Sequence, residues 1–177
     1  MDGEIIRRMD TGRGMREAAA AAQEEWFHLN QDGSIREVLL PGHTARFLLQ
    51  EGEQLIRVRR HALLSGVIGC GRMRDRNGQN WGAWFRFSCR LLSARRLAAE
   101  CGKQIEQAPA RFQENIRKGM RRAFEETVCG REELLSPQEM ETAYARKVRA
   151  FFEKEAEAWG MEVIDWTEGS LRPQGGV

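Results

Sequence analysis

The chain has 177 residues, with 28 Lys+Arg against 26 Asp+Glu and a formal net charge of +2. That balance argues against a protein built mainly to coat nucleic acid, since phosphate binders carry a large basic excess. No run approaches the roughly 20 apolar residues of a membrane-spanning helix, and residues 1–23 lack the apolar stretch of a secretory signal, so a cytoplasmic location is expected. The four cysteines, Cys70, Cys89, Cys101 and Cys129, show no Cys-x-x-Cys spacing. They predict reduced, mostly buried thiols rather than a disulfide framework.

Residues 1–23 read as a flexible or helical leader. Gly12, Arg13 and Gly14 interrupt early order, and residues 15–22 are alanine-rich, which favours helix by composition. Asp10-Thr11-Gly12 matches an aspartic-protease triplet but lacks the flanking apolar strand. Gly12-x-Gly14 lacks the third glycine and the preceding strand of a dinucleotide loop.

From Trp26 to Leu92 the signals are β. Residues 26–29 lead into the turn sequence Asn30-Gln31-Asp32-Gly33, and residues 35–40 return as a strand. Pro41-Gly42 is the next turn. Residues 44–49, 54–59 and 61–68 are further strands, Asp75-Arg76-Asn77-Gly78 is another turn, and residues 81–92 form the longest strand.

Beyond Ser93 the period changes to helical. Leu97, Cys101 and Ile105 lie one turn apart, and Phe112, Ile116, Met120, Phe124 and Val128 recur every four residues, closed by Gly130. Ser136-Pro137-Gln138-Glu139 has the form of a capping box. It opens a helix whose buried stripe is Met140, Tyr144, Val148, Phe151, Phe152 and Trp159, and Gly160 stops it. Residues 161–166 form a short last strand. The expected fold is therefore α+β, an antiparallel β-sheet covered by two or three helices. One domain spans 24–173, and 174–177 is a tail.

Charge is uneven. Between Gly71 and Arg96 stand seven arginines and one acid, Asp75. In a long hairpin, Phe85, Phe87, Cys89 and Leu91 share one strand face and Trp84, Arg86, Ser88 and Arg90 the other. A two-residue Asn77-Gly78 turn would place Arg72, Arg74 and Arg76 on the phenylalanine side. Burying unpaired guanidinium groups costs several kcal/mol each, against at most about 1 kcal/mol for a turn preference. The register expected is therefore a three-residue loop pairing Arg76 with Asn80 and Arg72 with Trp84. It gives an outward face of Arg72, Arg74, Arg76, Arg86 and Arg90 around Trp84.

Four pieces fall in the order of the SPFH, or band 7, domain of stomatins, prohibitins and flotillins. Residues 33–43, running into Pro41-Gly42, resemble the opening hairpin. Residues 74–79 with the strand 84–92 resemble the Thr-x-Asp-Gly turn and long strand, without the threonine. The helix 116–128 with Arg131-Glu132-Glu133-Leu134 resembles the family's helix and Arg-x-x-Leu segment. The helix 136–159 with Gly160-Met161-Glu162-Val163 resembles the closing helix and Gly-x-x-Val strand. Slipin-like bacterial members are the most similar.

The resemblance implies a non-enzymatic scaffold or partner-binding domain that oligomerises with itself or with an anchored paralogue, near membranes or membrane proteases. No cofactor, metal or catalytic residue is expected, and the near-neutral charge argues against a nucleic-acid partner. The chain departs from the family in showing neither the usual apolar anchor nor a long coiled coil. The arginine face would meet anionic lipid head groups at the inner face of a membrane, or acids such as Glu153, Glu155 and Glu157 of a neighbouring subunit; the plainer reading is a solvated strand face.

Two alternatives stand beside it. One is a small cytosolic enzyme with a Cys–His site, for which no thiol sits at a strained turn or a helix N-terminus. The other is a nucleic-acid module using the arginine hairpin. His28, His43 and His61 are not spaced as metal ligands. Trp159 reads as core, while Trp81 and Trp84, if exposed, would mark an interface.

Overall fold

The computed structural model describes residues 5–10, 12–102, 104, 107–129, 136–169 and 171–174. Ile105, Gly130, Arg131-Glu132-Glu133-Leu134 and most of the expected tail lie outside the described residues. The chain is α+β, with antiparallel sheets and, among the described residues, three α-helices. It divides into two compact units. The first comprises Met1–Leu64, Cys89–Pro109 and Glu157–Glu162, the second Ser65–Ser88, Ala110–Ala156 and Val163–Val177.

In the first unit, β1 (Ile6–Asp10), β6 (Gln54–Arg59), β3 (Glu24–Leu29) and β4 (Ile35–Leu39) form a four-stranded sheet in the order β1-β6-β3-β4. A separate ribbon pairs β2 (Gly14–Ala19) with β5 (Thr44–Leu49). Trp26 faces Leu39 and His28 faces Leu55 across their ladders, so these four share one sheet face. Leu39 and Leu55 pack with Ala18, Ala20, Phe47 and Leu49 of the ribbon, and Trp26 and Ala45 border the cluster. The alternate residues Phe27, Leu29, Ile56 and Val58 are buried as well, and α1 (Ala94–Cys101) lies against β3 and β6. Ser93 caps α1 by accepting from the Arg96 amide.

The expected leader is a correction. Residues 6–10 form an edge strand on β6, and the alanine-rich segment is strand β2, not helix. The reason lies in alternation: Ala18 and Ala20 are buried while Met15, Glu17 and Ala19 are exposed. Alanine prefers helix by less than 1 kcal/mol per residue, and cross-strand pairing with β5 outweighs that.

The second unit is built on a hairpin. Strands β7 (Leu63–Arg74) and β8 (Asn80–Leu91) pair, and β9 (Met161–Glu168) and β10 (Arg172–Pro173) both add to β8; the division between the units falls within β7, β8 and β9. Inside it, Phe87 meets Phe112 of α2 (Ala108–Phe124) and Phe152 of α3 (Pro137–Ala158) at centroid distances of 6.5 and 5.0 Å. Phe85 stacks on Trp166 at 4.9 Å and meets Tyr144 at 6.0 Å. Each fully buried phenylalanine contributes about 1.5–3 kcal/mol. The capping box forms as expected: the Ser136 amide donates to Glu139 Oε2 at 2.9 Å, and the Glu139 amide donates to Ser136 Oγ at 3.3 Å.

The stripe of α2 holds through Phe112, Ile116, Met120 and Phe124, but not to Val128. A π-helical turn, Glu125–Cys129, follows, and its extra residue per turn brings Thr127 inward and leaves Val128 half-buried. The Thr127 hydroxyl is buried without a hydrogen-bond partner.

Candidate functional site

The hairpin of the second unit presents the surface that the sequence singles out. Along β8, Ala83, Phe85 and Phe87 are buried whereas Trp84 and Arg86 are exposed, with Trp84 43% exposed. On β7 and in the turn, Arg72, Arg74 and Arg76 are exposed and Met73 is buried. The four arginines and Trp84 thus lie on the solvent side. Arg90 does not join them. It belongs to the first unit, where it donates to Glu162 Oε2 at 2.7 Å.

The register differs from expectation although the face is right. The Asp75 amide donates to the Gln79 carbonyl at 3.0 Å, so the three-residue loop is Arg76-Asn77-Gly78, one residue earlier than expected. Gly78 (φ 81°) supplies the left-handed position such a loop needs. Arg72 also has positive φ (57°), which marks an irregularity in β7. Asp75 organises the turn. Its Oδ1 accepts from the amides of Asn77 and Gln79, and its Oδ2 from Trp81 Nε1 at 3.0 Å. The Trp81 bond, then the backbone amides, hold the Asp75 carboxyl below its ordinary range. The one acid of the hairpin is thus spent on the turn, and among the described residues none of Arg72, Arg74, Arg76 and Arg86 has an acidic partner.

Beside Trp84 lies a shallow trough of about 440 Å³ lined by Gly69, Gly71, Gly82, Trp84, Arg172 and Gln174 among others. The glycines leave room for the closing segment. The Gln174 side chain lies over Gly71 and Gly82, and Gly169 is so close to the Trp84 backbone and indole that a Cβ there would collide with both. The Gln174 amide donates to the Asn80 carbonyl at 2.7 Å, which anchors the segment.

The acids proposed to meet the arginines from a neighbouring copy are engaged within their own chain. Glu153 accepts from Arg149 at 2.9 Å, Glu155 from Asn115 at 2.7 Å, and Glu157 lies 4.0 Å from Arg96.

The thiols and imidazoles stand as follows. Burial pushes the Cys70 thiol up and the Cys89 thiol to about 12, and desolvation also raises Cys129, whose Sγ donates to the Arg74 carbonyl at 3.9 Å. A raised pKa disfavours the thiolate that nucleophilic or metal chemistry requires. His43 bonds the Pro41 carbonyl through Nδ1. Among the described residues no group of three or more His, Cys, Asp and Glu is placed to hold a metal. Neither a protein-family model nor a curated protein sequence matches the chain.

Two clusters of the first unit escaped sequence reading. His28, 1% exposed, donates from Nε2 to Glu53 Oε2 at 2.8 Å. Glu53 also accepts from Arg36 at 2.8 Å and from the Gln50 amide at 2.8 Å. The second cluster is Arg7, Arg57 and Arg59 around Glu24. Both join residues far apart in sequence. The only signal available was strand alternation, which puts His28 on the face of Trp26 and Arg59 on that of Arg57.

Proposed function

We propose that the chain is an SPFH-type, non-catalytic scaffold or partner-binding domain that acts in the cytoplasm, at the inner face of an anionic membrane, through its arginine hairpin. One observation carries the reading: four exposed arginines flank an exposed Trp84 and have no acidic partner among the described residues. Each arginine near an anionic surface contributes about 1 kcal/mol, and an indole inserts at the head-group level. The order of long hairpin, three helices and returning strand is a second support for this reading. No helix among the described residues is long and apolar enough to cross a membrane; the reading has the domain attach peripherally or through an anchored partner.

Co-sedimentation with vesicles of mixed anionic and zwitterionic lipid tests the membrane part. Binding at low ionic strength should fall with added salt and in the triple variant Arg74→Ala/Trp84→Ala/Arg86→Ala. A protein that ignores anionic vesicles at low salt sinks it. Sedimentation velocity tests the scaffold part, which a monomer at all concentrations, free and on vesicles, would remove. Tight, steeply salt-dependent complexes with RNA or DNA would instead assign the face to nucleic acid.

A further inference from the structure

We infer that the chain self-associates through the outer face of the β2–β5 ribbon, a second copy packing face to face about a two-fold axis parallel to the strands. Such a contact rests on the scaffold reading proposed above and supplies its assembly step. The inner face of the ribbon, with Ala18, Phe47 and Leu49, belongs to the core. The outer face is open to solvent. There Met15 and Leu48 are direct partners across the ladder, 57% and 59% exposed. Single exposed apolar residues are ordinary, but these two have Cβ atoms about 5 Å apart and form one patch. The next outward row pairs Glu17 with Arg46, whose Nε donates to Glu17 Oε1 at 2.7 Å. The third pairs Ala19 with Thr44, so nothing bulky beyond the patch holds a neighbour away.

The pairing within each row selects a second copy as the occupant. A two-fold axis midway between the strands exchanges β2 and β5 across the contact. Met15 then faces the partner's Leu48, and Glu17 faces the partner's Arg46. Each outward residue meets the same kind of group that it meets in its own ribbon, apolar against apolar and acid against base. The face is therefore self-complementary, as an isologous contact requires. An exposed ion pair contributes little alone, but across this axis four alternating charges form a network. Each strand has six residues, so the face measures about 20 Å by 10 Å. That is small beside the roughly 800 Å² per partner of a stable interface, which makes the association weak and concentration-dependent.

Sedimentation velocity on the full chain, up to the highest attainable concentration, tests the contact. The wild type should form a reversible dimer. Glu17→Arg makes the outer face wholly basic and Arg46→Glu makes it wholly acidic. Each should weaken self-association at least about tenfold, because the axis sets like charges together twice. An equimolar mixture of the two variants should associate at about wild-type strength, since every charge then faces its opposite, and this recovery also shows that both are folded. Leu48→Gln added to either member should weaken the mixed complex about tenfold through lost apolar burial, which attraction between opposite net charges would not do. A dimer unchanged in both single reversals would overturn the ribbon contact and leave the scaffold reading standing. Loss in each variant without recovery in the mixture would overturn the two-fold arrangement. A wild type monomeric in solution would overturn the contact, and one monomeric on vesicles as well would remove the scaffold reading with it.

Discussion

Gly119 of α2 lies so close to Phe151 of α3 that a Cβ there would sit 2.2 Å from ring atom Cδ1. Glycine costs an exposed helix about 1 kcal/mol relative to alanine, so its presence here serves the approach of the two helices. Gly119→Ala gains that propensity and loses about 1–3 kcal/mol to overpacking. The expected net effect is a loss of about 1 kcal/mol in chemical denaturation. In a Phe151→Ala background the same change should stabilise by up to about 1 kcal/mol. A double-mutant cycle reads this sign reversal directly.

Gly160 and Gly78 both have positive φ, 74° and 81°, but their surroundings differ. A Cβ on Gly160 would lie 2.5 Å from the Ser93 carbonyl oxygen, whereas one on Gly78 meets nothing within 4 Å. The Gly160 carbonyl also accepts from the amides of Leu92 and Ser93, so the backbone there has no freedom to withdraw. Gly78→Ala should cost about 1 kcal/mol, the strain of the left-handed conformation alone. Gly160→Ala should cost at least about 2 kcal/mol more in equilibrium unfolding, since rigid backbone must move.

Thr127 buries a hydroxyl with no partner. An unsatisfied buried polar group costs about 1–3 kcal/mol, and valine has nearly the same shape. Thr127→Val should therefore stabilise the protein by about 1 kcal/mol, read as a higher denaturation midpoint at unchanged m-value.

Glu53 gives stability a dependence on acid. Its carboxyl is held below the ordinary 4.5, first by the Gln50 amide, then by the bonds from His28 and Arg36, with burial opposing. A depressed folded-state pKa means that the unfolded chain binds the proton more readily. The Glu53 contribution is therefore complete well above pH 4.5 and is lost as pH falls through the lower folded value. Glu53→Gln should destabilise the protein at neutral pH, where it leaves Arg36 without its carboxylate, and should flatten the fall in stability below about pH 4.5. Denaturant midpoints from pH 3 to 7 measure both effects. An unchanged acid slope in Glu53→Gln would contradict the assignment.

The sequence made the periodic segments legible. The alternation of Phe85 and Phe87 against Trp84 and Arg86 carries its own burial pattern, and the capping box of Ser136 and Glu139 marks a helix start through two local hydrogen bonds. What stayed hidden depends on distant partners. Ala18 and Ala20 read as helix because nothing in their neighbourhood announces β5, whose Thr44–Leu49 strand arrives later in the chain. Thr127 turns inward only because the helix widens over one turn. The hairpin register moved by one residue because Asp75, rather than Arg76, closes the loop, a choice made by its side-chain bonds to Asn77, Gln79 and Trp81. The His28–Glu53–Arg36 cluster joins three strands or turns whose pairing no local pattern specifies.

Strand β8 receives both β9 and β10, which are made long after it. During synthesis its far edge must therefore wait, unpaired, until three helices have emerged. Such an exposed edge invites pairing with other nascent chains. Arg86, between Phe85 and Phe87, places a charge on the exposed face of the strand during that interval. A charge at that position disfavours pairing between nascent copies before the sheet is complete.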